Sequence, residues 1–257
     1  MMKDVKFQFE NKNFVVVGAS SGMGRQITLD LARAGAHVLA VARNEERLQE
    51  VQKSFPDLIE VQTLDVLEAG PEDWDRVLGE FVEKHGKVHG GVYTAGITGM
   101  SALRMYDDDL AHRILDTSFF GMTRFIQGMA KKKHAEKGSS YVVFASTAAH
   151  YGNRGQFAYS GAKGAVCSAV RSLAKELYRD KHRINSISPG WVETEMSLNS
   201  RDEIGVDRVK EIYASYPLGV GKPDDVSPMV LFLLSDAARW ITGTDIVVDG
   251  GSLVGMN

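Results

Sequence analysis

Short apolar runs alternate with longer amphipathic stretches along the whole chain. NFVVVGAS (13–20) predicts a buried strand that leads into a glycine turn. Residues 24–36 follow as a helix, with Ile27, Leu31 and Ala34 on one face. HVLAVAR (37–43) predicts a second strand, and 44–55 a second helix capped by Asn44. The pattern repeats with a strand at 58–66, a helix at 71–86, a strand at 88–96, and one long helix over about 107–135. A fifth strand at 139–147 precedes a helix at 157–180. A sixth strand spans 182–190, and an irregular stretch covers about 191–221. A helix at 223–236 and a strand at 243–251 close the series.

Near-continuous apolar strands alternating with helices predict an α/β protein. Its parallel sheet of about seven strands is doubly wound, with helices on both faces. No Pro/Gly/Ser-rich linker interrupts the series, which predicts one domain over residues 1–257.

Composition narrows the function classes. Thirty basic and thirty-three acidic side chains give a net charge of −3, and no aromatic-basic stripe is present. A nucleic-acid partner is not expected. No run of about 18 apolar residues exists, and the first thirteen residues lack a secretory apolar core, so no membrane association is expected. The single cysteine, Cys167, excludes an internal disulfide and suits a cytoplasmic protein; its helical setting suggests packing rather than reactivity. KKKH (131–134) reads as a solvated helix end facing the negative pole of the macrodipole. No metal is expected.

The chemistry begins at VVVGASSGMGR. Gly18, Gly22 and Gly24 join the first strand to the first helix, and backbone N–H groups there can face a pyrophosphate at the helix N-terminus. Ser20, Ser21 and Met23 complete the turn as cofactor-binding positions. This is the signature of a Rossmann-type dinucleotide site. The second strand ends in Ala42 and Arg43 rather than Asp or Glu. A guanidinium there, with Asn44 beside it, suits the 2′-phosphate of NADP(H). The alternative is NAD(H), with Arg43 a surface residue and Glu45 or Glu46 reaching the ribose. Asp65 and Val66, ending the third strand, suit the adenine.

Tyr159 and Lys163 lie four apart on a predicted helix and so share a face. A free phenol titrates near pH 10, and a neighbouring ammonium is expected to lower that value. Small neighbours at 160–162 and 164 would admit a flat ring. Ser146 ends the fifth strand, where ligands of open parallel sheets gather.

GASSGMG, LDV, YTAG, FASTAAHYGNRGQFAYSGAK, INSISPGWVETEM and ITGTDIVVDGG occur in this order. Together they resemble the short-chain dehydrogenase/reductase family over essentially the whole chain. The nearest subgroup resemblance is to 3-oxoacyl-(acyl-carrier-protein) reductases. That resemblance implies reversible hydride transfer between NADP(H) and a small-molecule ketone or secondary alcohol. It makes Tyr159 the general acid/base, Lys163 its partner and a ribose ligand, and Ser146 the orienter of the carbonyl. It places Ala95 and Gly96 at the adenosine ribose. Pro189, Gly190, Val192 and Thr194 close over the nicotinamide and phosphates. It also implies a homotetramer or homodimer.

Three positions depart from the family pattern. Val17 replaces a threonine before the first glycine, and Thr94 replaces an asparagine that ties neighbouring strands. Ser118 stands where a fourth catalytic residue is usually asparagine, which bears on the proton relay. Substrate contacts are expected from Thr98, Met100, His150, Tyr151, Phe157 and Trp191. A lid at about 191–221, carrying Met196, Leu198, Tyr213 and Tyr216, is expected to cover them. Rival readings are an NAD-linked alcohol, polyol or steroid dehydrogenase, and a nucleotide-binding protein with weakened catalysis.

Overall fold

A computed structural model describes residues 5–198 and 205–254. Seven parallel strands form one sheet in the order β3-β2-β1-β4-β5-β6-β7. They are β1 (Asn13–Val17), β2 (His37–Ala42), β3 (Ile59–Thr63), β4 (Val88–Tyr93), β5 (Ala135–Phe144), β6 (Arg183–Pro189) and β7 (Asp245–Val248). The order reverses between β1 and β4, so the crevice at their carboxyl ends is the topological switch point where such sheets bind ligands.

Each face carries helices. On one lie α1 (Gly22–Arg33), α2 (Glu45–Gln52) and α8 (Pro223–Leu234), which bury Ile27, Leu31, Leu48, Val51, Val230 and Leu231. On the other lie α3 (Pro71–His85), α4 (Asp108–Leu115), α5 (Gly121–Met129) and α6 (Phe157–Leu177). Trp74 of α3 meets Phe125 of α5 edge-on at 5.2 Å, and both are fully buried. A further helix, α7 (Val206–Ala214), lies in the expected irregular stretch. No helix among the described residues is long and apolar enough to cross a membrane.

The long helix expected at 107–135 is divided. After α4 comes a π-helical turn, Asp116–Phe120, in which the Gly121 N–H donates to the Asp116 carbonyl five residues back. The Tyr93 hydroxyl, from the end of β4, donates to the Thr117 carbonyl at 2.7 Å and satisfies a group the wider turn displaces. The helix ends at Met129, and β5 starts at Ala135, earlier than expected. Its register with β4 shifts between the Val88–Ala135 and Gly90–Ser140 pairs, which accommodates Glu136–Gly138. KKKH therefore occupies a turn. There Lys131 and Lys133 pair with Asp75, and His134 is buried with Nδ1 2.9 Å from the Gly128 carbonyl. That histidine differs from the solvated end expected, because the next strand begins immediately and covers it.

Candidate functional site

The turn between β1 and α1 is built by exclusion. Gly18 sits at φ +84, and a Cβ there would lie 2.4 Å from Thr94 Oγ1 and 2.9 Å from the Ala95 nitrogen. A Cβ on Gly24 would lie 2.2 Å from the Gly18 carbonyl oxygen. Side chains are barred from both positions, so α1 packs directly on the strand ends. No side chain caps α1, and its first turn holds no acidic residue. Its leading N–H groups are thus available to an anion. Thr194 abuts Gly22, its Cγ2 lying 3.2 Å from where a Cβ would project, so the stretch after β6 closes over this turn. Thr94 keeps the strand tie: its hydroxyl donates to the Val17 carbonyl at 2.8 Å.

The adenosine end is polar and open. Arg43 lies 3.8 Å from Asp65 across the ends of β2 and β3, with its side chain 60% exposed. Asp65 also accepts from the Leu67 N–H, and the Asn44 side chain accepts from the Arg47 N–H as the cap of α2. Val66 is buried beneath them. Arg47, which the sequence reading did not single out, pairs with Glu195 at 2.5 Å. It thereby joins α2 to the stretch after β6. Only the tertiary fold brings these two together.

Ser146, Tyr159, Lys163 and Ser118 converge where β4 and β5 end. Ser146 caps a 3₁₀ turn by accepting from the Ala148 N–H, and its hydroxyl faces the Tyr159 phenol. Burial pushes that phenol above its ordinary value, and the neighbouring Ser146 hydroxyl offsets only part of the rise. Lys163 is 4% exposed; its Nζ lies 5.7 Å from the Tyr159 ring centroid and donates to the Phe144 carbonyl at 2.8 Å. Burial pulls its ammonium down to about 8. This differs from the expected lowering of the phenol by the lysine. The cation is tied to a backbone carbonyl, and loss of water dominates at both groups. Lys163 Nζ and Ser118 Oγ flank Gly96 on one side, 3.4 and 3.8 Å from where a Cβ would stand. The Ser118 hydroxyl is buried with no hydrogen-bond partner among the described residues. The π-turn delivers it there.

The expected substrate residues do not all gather. Met100 packs near Gly155, Phe157 meets Tyr106 at 5.5 Å, and Tyr151 is exposed; these rim the crevice with Thr98 half-buried. Trp191 buries its indole Nε1 with no hydrogen-bond partner among the described residues, while its backbone N–H donates to the Tyr216 hydroxyl at 2.5 Å. His150 instead directs Nε2 to Asp245 at 2.8 Å and Ser188 at 3.2 Å. Gly190 and Val192 are held in place by β7 and Gly221. Of the expected lid, residues 199–204 lie outside the described residues. The remainder is tethered: Gly221 N–H donates to the Trp191 carbonyl, and the Tyr213 hydroxyl donates to Glu193.

A doubly wound sheet, a glycine turn at its switch point and a Ser–Tyr–Lys set beside it define a dinucleotide-binding oxidoreductase. Comparison with known proteins agrees. A family model described as enoyl-(acyl carrier protein) reductase matches residues 18–252. A 3-oxoacyl-(acyl-carrier-protein) reductase of Thermotoga maritima is 30% identical over 252 residues, which is 96% of this chain and 100% of the relative. L-xylulose reductase of Caenorhabditis elegans is 32% identical over 248 residues, 95% of this chain and 97% of that protein. Among solved structures, a short-chain dehydrogenase/reductase from Brucella melitensis matches with a TM-score of 0.88 at 30% identity, covering 96% of this chain and 99% of that one. An actinorhodin polyketide ketoreductase crystallised with NADPH matches with a TM-score of 0.87 at 28% identity, covering 96% and 99%. The chain belongs to the short-chain dehydrogenase/reductase family, whose members bind NAD(P).

Proposed function

We propose that this protein is an NADP(H)-dependent ketoreductase. It reduces the ketone of a medium-sized, mostly apolar molecule to a secondary alcohol. The observation that carries the reading is the Ser146–Tyr159 hydroxyl pair beside buried Lys163. The bound nicotinamide supplies the hydride. The chain's own residues do the rest. Gly18, Gly22 and Gly24 admit the pyrophosphate to the α1 N-terminus, Arg43 grips the 2′-phosphate, and the ends of β4 and β6 enclose the ribose and ring. Ser146 and Tyr159 donate to one carbonyl oxygen. With its phenol pushed up, Tyr159 stays protonated at neutrality and suits donation to a forming alkoxide. Lys163, its ammonium pulled down to about 8 by burial, is the proton source behind it. The unpartnered Ser118 hydroxyl extends that path past Gly96.

Several observations support the finer points. The rim of Met100, Leu103, Met105, Tyr106 and Phe157 is apolar and exposed, which suits a neutral ketone. The described parts of the stretch after β6, 191–198 and 205–221, act as the lid over it. β7 is an edge strand, and Trp240, five residues before it in the chain, is 96% exposed; both suit pairing with a second copy. The test is NADPH oxidation over a panel of ketones by the wild type and by Tyr159→Phe. Reduction lost in the variant with NADPH still bound supports the reading. Undiminished reduction overturns it.

A further inference from the structure

Three ligating side chains outside the proposed proton path meet at the far end of the 3₁₀ turn that Ser146 begins. His150 ends that turn, Cys167 comes from α6 and Asp245 opens β7. His150 Nε2, Cys167 Sγ and the Asp245 carboxylate all lie within 4.8 Å of one another. We propose that they form a binding site for a zinc-class divalent cation, contrary to the absence of metal expected from sequence.

The donor set fits that class. Imidazole, thiolate and carboxylate are the zinc ligands of proteins, and a thiolate selects against magnesium and calcium. Tetrahedral zinc holds such donors roughly 3.3–3.8 Å apart. The His150–Asp245 pair, at 2.8 Å, opens slightly and the thiol closes in, movements that side-chain rotation provides. One carboxylate and one thiolate neutralise the dication. Binding releases a single proton, from Sγ, while imidazole binds through neutral Nε2. The carboxylate is already oriented: Ser186 Oγ donates to Asp245 Oδ1 at 2.5 Å and Ser188 Oγ to Oδ2 at 2.8 Å. Such outer donors support metal ligands elsewhere. With His150 partly exposed, an ion has a way in, and water supplies the fourth ligand. The cation ties the turn after Ser146, and α6 one turn past Lys163, to the edge strand.

Cys167 is the only cysteine, so a thiolate-to-metal band has one source. The chelator-treated full chain, without cofactor, is titrated with cobalt(II) and then zinc. The expected result is one cobalt per chain with a thiolate charge-transfer band in the near ultraviolet and intense visible bands of four-coordinate cobalt. Zinc bleaches both. Cys167→Ser removes the charge-transfer band. His150→Gln and Asp245→Asn each weaken binding at least tenfold, and Ser188→Ala weakens it less. Absence of the charge-transfer band at saturating cobalt in the wild type overturns the proposal, whatever the variants do. So does cobalt affinity unchanged in His150→Gln and Asp245→Asn.

Discussion

The two halves of the crevice are built on opposite principles. At the glycine turn the site is backbone: Gly18 and Gly24 leave no room for a Cβ, and the α1 N-terminus offers its N–H groups with no side-chain cap. At the Tyr159–Lys163 end the site is side chains, with a phenol pushed up, a lysine pulled down to about 8 and a buried hydroxyl without a partner among the described residues. The first half is proposed to bind by shape, so a change there should act on stability and affinity together. The second stores displaced protonation, so a change there should act on chemistry and its pH dependence.

The largest effect expected is in the second half. Tyr159→Phe lowers turnover about 10²–10⁴-fold with the NADPH dissociation constant nearly unchanged, measured by steady-state kinetics and fluorescence titration. Equal losses in both would erase the contrast between the halves. Next comes Gly24→Ala, whose Cβ would overlap the Gly18 carbonyl. It should cost about 1–3 kcal/mol of stability and weaken NADPH binding, read by denaturant unfolding and titration.

Lys163→Met sharpens the comparison through pH. The folded-state value near 8 lies below the unfolded value near 10.5, so the folded chain carries fewer protons between them. The cost of burying the cation is therefore fully present below pH 8 and is relieved as pH rises toward 10.5. The variant should flatten the rise of unfolding free energy across pH 8–10.5, by about 3 kcal/mol at most. Arg43→Ala should narrow the preference for NADPH over NADH by roughly tenfold, as loss of one charged hydrogen-bonding pair implies. An unchanged ratio of dissociation constants would remove Arg43 from the site. The smallest stability effect belongs to Ser118→Ala. Its hydroxyl makes no hydrogen bond among the described residues, so unfolding should change by less than about 1 kcal/mol while turnover falls.

Much of this was legible before any coordinates. The central strands β1 and β2 announced themselves as apolar runs because both faces of a parallel sheet are covered there. The glycine spacing and the Tyr159/Lys163 interval are local, so they survive in one dimension. The π-turn was not legible: one extra residue per turn barely disturbs a helical pattern, and Tyr93, which satisfies it, is 24 residues away. The early start of β5 was hidden because Glu136 and Lys137 are polar residues in a strand with shifted register.

By itself, the chain's order of residues determined the alternation of strands and helices, the glycine turn proposed to receive an anion and the spacing of the Ser–Tyr–Lys set. These depend on periodicity and on spacings within single elements. Tertiary structure alone decided that Lys163 is held by a carbonyl, that Ser118 faces Gly96 and that Arg47 reaches Glu195. It alone brought His150 to Cys167 and Asp245. Burial, and contacts between residues far apart in the chain, set both protonation and pairing, and neither is written in local pattern.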